Sequence, residues 1–280
     1  MKFALSLPIH DQLADPQLHV ELAMSAEKAN WDGYFVWDHI AWKNQSVHVP
    51  VTDPWITLAA IATTTQRIQI GPMVIPLARR RPWKVARETV ALDQLSNGRL
   101  IVGVGLGAFA KDEFDAFGDE ADPKLRGAML DEALDVLTGL WSGEPFDYQG
   151  NHFRLQDTQF LPTPSHPIPV WVAGRLNNAG NRKPFRRAAR FDGSFPLAPN
   201  QSAPPEAYAE IKAFIDQHRP NNQPYDLVCE RELSNNGVGS AEIIQPYSDA
   251  GVTWWLCNGS GSNIDIGRIR HLIERGPPKR

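Results

Sequence analysis

Apolar positions along the chain follow two patterns in turn. Short, nearly continuous apolar runs read as buried strands. Longer stretches with an apolar residue every third or fourth position read as amphipathic helices. Lys2 to Pro8 is the first strand. Asp15-Pro16 then marks a helix start, with aspartate as N-cap and proline at the first helical position. Leu18, Leu22, Ala26 and Ala29 recur behind it at helical spacing, and Gly33 closes that region. Tyr34-Phe35-Val36-Trp37 is a second strand, exiting into Asp38-His39. Asp53-Pro54 repeats the helix-start signal, with Leu58, Ile61 and Ala62 as its stripe. Strands near 68–75 and 99–104 flank a helix near 82–96 that stops at Asn97-Gly98. Residues 108–123 are polar and acidic and read as a long loop. Leu130, Ala133, Leu134, Leu137, Leu140 and Trp141 form the most regular helical face.

The second half continues the alternation. Residues 143–167 are rich in proline and glycine and read as an insertion holding a hairpin from Phe146 to Phe153. Strands follow at Ile168–Gly174, Asp192–Leu197, Asp226–Leu233 and Gly251–Cys257. Helices open at Pro204-Pro205 and at Ser240, with Asn263 expected to cap the last one. That makes eight strands, each followed by a helix, with no linker of domain size. The predicted fold is α/β, a (β/α)8 TIM barrel forming one domain over 1–280.

Composition narrows the setting. The formal charge is −4, which favours neither nucleic acid nor a membrane surface. The first seven residues lack the apolar core and cleavage pattern of a signal peptide. No run of 18 apolar residues exists to span a membrane. Two cysteines, Cys229 and Cys257, cannot make a disulfide framework. The expectation is a cytoplasmic protein with buried, inert thiols.

In such a barrel, chemistry sits at the carboxyl ends of the strands. The exits are Pro8, Asp38-His39, Val74 to Pro76, Gly105 to Gly107, Ala173-Gly174-Arg175, Pro196-Leu197, Glu230 and Asn258. His39 can relay a proton near neutral pH, or can bond a carbonyl and only shape the pocket. Trp37 and Trp42 suit a wall for a planar ring, or core packing. Gly103-Val104-Gly105-Leu106-Gly107-Ala108 satisfies the dinucleotide pattern G-x-G-x-x-G/A, but three βα units precede it. Its glycines admit a phosphate, or serve close packing. Arg79, Arg80 and Arg81 can hold an anion, or form a solvated loop with salt bridges to loop acids. Arg186 and Arg187 are expected to face solvent. The eight histidines form no ligand-spaced cluster, so no metal is expected.

Trp37-Asp38-His39, Gly71 to Arg87, Asn97-Gly98-Arg99-Leu100 with the glycines after it, Leu140 to Pro145, and Pro169 to Gly174 resemble the bacterial luciferase-like monooxygenase family. Pro184 to Gly193 resembles a flavin-dependent subgroup. The resemblance spans most of the chain in order. It implies a barrel that binds FMN or the deazaflavin coenzyme F420 at the strand ends. It implies a non-proline cis peptide at Met73-Val74, in a bulge backing the isoalloxazine ring. His39, with Asp38, would lie near the reacting ring; Gly105, Gly107, Ala173 and Gly174 match phosphate-tail positions. Arg175 stands where many members have a second glycine, replacing a backbone donor with a guanidinium.

The implied activity is oxidation or reduction of a small organic substrate. With FMN this would be oxygenation through a flavin peroxide; with the deazaflavin, hydride transfer. A homodimer through outer helices is the family expectation. A non-catalytic flavin-binding protein, an NAD-dependent dehydrogenase and an unrelated barrel enzyme stay open as alternatives.

Overall fold

The computed structural model describes residues 1–176, 182–198, 203–219, 223–232, 239–259 and 265–278. Eight parallel strands run β1 (Lys2–Leu7), β2 (Gly33–Val36), β3 (Gln69–Pro72 and Ile75–Pro76), β4 (Val102–Gly105), β5 (Val170–Arg175), β6 (Gly193–Leu197), β7 (Asp226–Glu232) and β8 (Trp254–Asn258). The helices are α1 (Pro16–Lys28), α2 (Pro54–Thr64), α3 (Pro82–Ser96), α4 (Pro123–Trp141), α5 (Lys183–Ala188), α6 (Pro205–His218), α7 (Ala241–Asp249) and α8 (Ile266–Arg275). β3 is broken after Pro72 by a cis peptide between Met73 and Val74. Its first segment pairs with β2 and its second with β4. The Ile70 amide donates to the Arg99 carbonyl at 3.0 Å, and the Ile101 amide returns a bond to Ile70 at 2.9 Å. These two bonds join the ends of the sheet and close the barrel. Close approach here demands glycine at 71: a Cβ there would lie 1.8 Å from the Ile101 carbonyl oxygen.

Strand alternation sorts the core into two layers. Leu5, Leu7, Val36, Ile70, Val102, Val172, Leu227, Cys229, Trp255 and Cys257 face the helices. Ala4, Phe35, Met73, Ile101, Trp171, Phe195, Val228, Trp254 and Leu256 fill the barrel interior below the mouth. Both cysteines are buried in the outer layer, and burial raises their thiols, Cys229 to about 11. Among the described residues no helix is long and apolar enough to cross a membrane.

The cap signals are realised. Asp15 accepts from the Gln17 amide and Asp53 from the Ile56 amide, each before a proline at the first helical position. Asp265 caps α8; Asn263, expected in that role, lies outside the described residues. The 143–167 insertion forms an antiparallel hairpin, Phe146–Gln149 with Arg154–Thr158. The Glu132 carboxylate of α4 accepts the backbone N–H groups of Asn151, His152 and Phe153 at 2.8, 2.8 and 3.1 Å, which fixes the hairpin to the barrel.

Two expectations are corrected. Residues 108–123 are not one open loop: they hold a short helix, Ala110–Glu113, and a 3-10 turn, Asp115–Phe117. Arg187 does not face solvent. Its guanidinium takes the Asp131 carboxylate and the Gly127 carbonyl of α4, docking α5 on that helix.

His19 gives the fold an acid limit. It is fully buried, and its Nε2–H donates to the Leu13 carbonyl at 2.9 Å. Nδ1 must then accept from the Tyr34 hydroxyl at 2.8 Å. Protonation would place a charge in the core and break that second bond. Burial accordingly lowers the imidazole from 6.5 to about 4. The unfolded chain therefore binds the extra proton first, and stability falls as pH drops from 6.5 towards 4. For this group the loss is ~2 kcal/mol at pH 5. His10, also lowered to about 4, adds in the same direction. Denaturant titrations at pH 7 and pH 5 check this: His19→Gln should lose markedly less than the native chain between the two.

Candidate active site

Asp38 and His39 follow directly from β2, and the chain turns them in opposite directions. His39 Nδ1–H donates to Glu113 Oε1 at 2.8 Å, and the Ile40 amide donates to the same oxygen at 3.1 Å. Because the carboxylate can only accept, Nδ1 carries a hydrogen. His39 Nε2 makes no hydrogen bond among the described residues. The His39 ring is packed edge-on by Trp42, with centroids 4.7 Å apart, and lies 5.7 Å from Trp37 and 6.0 Å from Phe109. Glu113 is the residue that sequence reasoning missed. It sits in the segment read as an open acidic loop, yet its side chain is only 1 % exposed.

Arg79 explains how an acid can be buried there. Its guanidinium donates to Glu113 Oε2 at 3.3 Å and to Asp38 Oδ1 at 3.1 Å. Arg80 holds Asp38 from the other side, with Nε–Oδ2 at 3.0 Å. The three-arginine loop thus divides. Arg79 and Arg80 pair with acids, but in a buried cluster and not in the solvated loop expected, and Arg81 lies over the Trp83 ring. Asp38 has both oxygens engaged and a side chain 1 % exposed. The sequence pairs it with His39; the structure turns it away, into the arginine cluster. A cavity of about 320 Å³ adjoins this cluster, lined by Asp38, His39, Val51, Thr52, Arg79 and Arg80.

Across the barrel the mouth is made of small and apolar groups. A Cβ added at Gly105 would sit 3.0 Å from Val74 Cγ2 and 3.4 Å from the Ala173 methyl. Val74, Gly105 and Ala173 therefore converge on one patch. Gly107 has φ +78°, and a side chain there would strike Phe114 and Pro76. Close packing accounts for that glycine whether or not a phosphate also approaches it. Met73 is buried below the patch. Gly174 and Arg175 end β5, with Arg175 exposed. Asn177, Asn178 and Asn181, in the connection that follows, lie outside the described residues.

The model of one protein family, the luciferase-like monooxygenases, matches residues 1–231. The chain belongs to the luciferase-like monooxygenase family. A member from Rhodococcus hoagii described as an F420-dependent glucose-6-phosphate dehydrogenase is 32 % identical over 314 residues, covering 93 % of this chain and 92 % of that one. Another of the same description, from Gordonia bronchialis, is 33 % identical over 228 residues, covering 79 % and 65 %. The match to the Amycolatopsis mediterranei relative, 34 % identical, spans about half of that protein's length (47 %). Among solved structures, an F420-dependent secondary alcohol dehydrogenase holding an F420–acetone adduct superposes with a TM-score of 0.80 at 18 % identity, over 99 % of this chain and 98 % of that one. This agreement shows the barrel fold, which is shared by solved structures in complex with an F420 adduct and with FMN. The dinucleotide pattern is thereby placed: its glycines close the fourth strand of the luciferase-like barrel and do not open a Rossmann domain.

Proposed function

We propose that this luciferase-like protein is an oxidoreductase that binds coenzyme F420 at the barrel mouth and exchanges hydride with a small organic substrate. The observation that carries this reading is the half-buried His39 held by the buried carboxylate of Glu113. Hydride exchange between an alcohol and a carbonyl also moves a proton, and a fixed imidazole with one free nitrogen is built to handle it. Oxygenation with FMN also moves protons and is the second reading; the relatives described as F420-dependent favour the deazaflavin.

The mouth fits a planar ring with a phosphate-bearing tail. The patch at Val74, Gly105 and Ala173 would back the ring, over Met73. Gly107, Gly174 and Arg175 would meet the tail, the guanidinium supplying a charge-assisted contact. When bound, the coenzyme supplies the hydride-accepting centre. The chain supplies orientation and proton handling. Glu113 fixes the His39 ring through Nδ1, and Nε2 takes the hydroxyl proton as an alcohol is oxidised, or returns it in the reverse direction. Asp38 is a positioning residue that holds Arg79 and Arg80.

Titrating the purified protein with F420 and with FMN, followed by fluorescence quenching, tests the assignment. F420 should bind at least about tenfold more tightly than FMN. Equal or tighter binding of FMN would reverse the choice of coenzyme, and no binding of either would remove the reading.

A further inference from the structure

One side of the barrel mouth is chemically unlike the other. Alternation turns Ala4 and Ser6 of β1, Val228 and Glu230 of β7, and Trp254, Leu256 and Asn258 of β8 inward. The lower members of each series are apolar and belong to the interior layer. The upper members, Ser6, Glu230 and Asn258, are polar. Ser6 lies beside Asn258 in the β1–β8 register, and Glu230 beside Leu256 in the β7–β8 register. The Trp37 indole N–H donates to Ser6 Oγ at 3.1 Å. Ser6 then donates its one hydroxyl hydrogen to Glu230 Oε1 at 2.7 Å, with Asn258 beside Ser6 on the next strand.

Glu230 keeps some surface towards the mouth while the barrel wall encloses it. Burial pushes its carboxyl up, and prevails over the bond from Ser6. The neighbouring arginine, Arg231, points outward over the rings of Tyr247 and Trp255, at 5.1 and 5.9 Å. The inward-facing strand ends on this side, Ser6, Glu230 and Asn258, include no cation, whereas a phosphorylated substrate would ask for one.

We propose that Ser6, Glu230 and Asn258 form the substrate-recognition wall of the mouth, and that it takes an uncharged hydroxyl or carbonyl compound rather than a phosphorylated one. The inference rests on the coenzyme reading above. One carboxyl oxygen of Glu230 is committed to Ser6. The other is left for a hydroxyl of the substrate, and the Asn258 amide can donate to a substrate oxygen. The groups around it are Ser6, Trp37 and Asn258, all neutral. Cys229 and Cys257 lie across the sheet with raised thiols, and Glu232 is exposed at the rim.

The test uses F420-loaded protein, offered a panel of neutral secondary alcohols and sugars including propan-2-ol and glucose, and glucose 6-phosphate, with loss of deazaflavin absorbance as readout. At least one neutral probe should be turned over, with kcat/KM at least about tenfold above that for glucose 6-phosphate. Preference for the phosphate, or failure of every neutral probe, overturns it. With the accepted probe, Glu230→Met should raise KM by about tenfold or more with unchanged melting. Glu230→Gln, which keeps a hydrogen-bonding group in place, should raise KM less. An unchanged KM in Glu230→Met overturns the wall. Should F420 itself not bind, the functional reading and the wall that rests on it fall together; failure of every neutral probe with F420 bound overturns the wall alone.

Discussion

His39→Ala should lower kcat for deazaflavin reduction by about 10²- to 10⁴-fold, leaving F420 affinity and the melting profile essentially unchanged. The loss follows from the geometry. Nδ1–H is committed to Glu113 at 2.8 Å, so Nε2 is the ring atom left to accept a substrate proton. Alanine deletes that acceptor, and water in the vacated space is neither oriented nor basic enough to replace it. His39 also packs against Trp42, but an edge contact at the rim contributes little to global stability. Glu113→Gln refines the result: glutamine can still accept from Nδ1–H but no longer balances an imidazolium, so kcat should fall less than in His39→Ala. Single-turnover reduction of bound coenzyme is the measurement. A kcat within threefold of native in His39→Ala would remove the imidazole from the chemistry.

The second large effect is on folding. Arg79→Met should destabilise the chain by ~3–5 kcal/mol, the usual cost of leaving a buried charge without its partner. Arg79 is 4 % exposed and contacts two carboxylates that are each 1 % exposed. After substitution Asp38 retains Arg80, whereas Glu113 retains only His39 and one backbone amide. Glu113 should therefore carry most of the penalty. A double-mutant cycle isolates it: Arg79→Met in a Glu113→Gln background should cost at least about 1 kcal/mol less than in the native background. Equilibrium denaturation of the four proteins gives the coupling directly, and strict additivity would show that the two side chains do not act on each other.

The barrel was legible because its signals are local. Asp15-Pro16 and Asp53-Pro54 announce helices within two residues, and a strand exit such as Asp38-His39 follows from counting apolar runs. Glu230 and Asn258 were reachable as strand exits by the same count. Their joining through Ser6 was not, since register between β1, β7 and β8 decides which upper side chains meet. Glu113 was hidden for another reason. Its partners His39 and Arg79 are 74 and 34 positions away. An acid among Lys111, Asp112 and Asp115 carries the composition of a solvated loop. Nothing local distinguishes a carboxylate in water from one clamped by a guanidinium. Arg187 misled in the same way, a cation on a short helix whose acidic partner Asp131 lies on another.

The hairpin held by Glu132 has a practical consequence. It belongs to the connection from α4 to β5, which in a barrel of this topology lies at the end opposite the mouth. Three backbone N–H groups seated on one carboxylate make it a stiff projection. A dye or a surface tether attached at exposed Gln149 would therefore keep a defined orientation on the barrel and leave the strand exits facing bulk solution, which suits this hairpin to immobilising the protein with its mouth accessible.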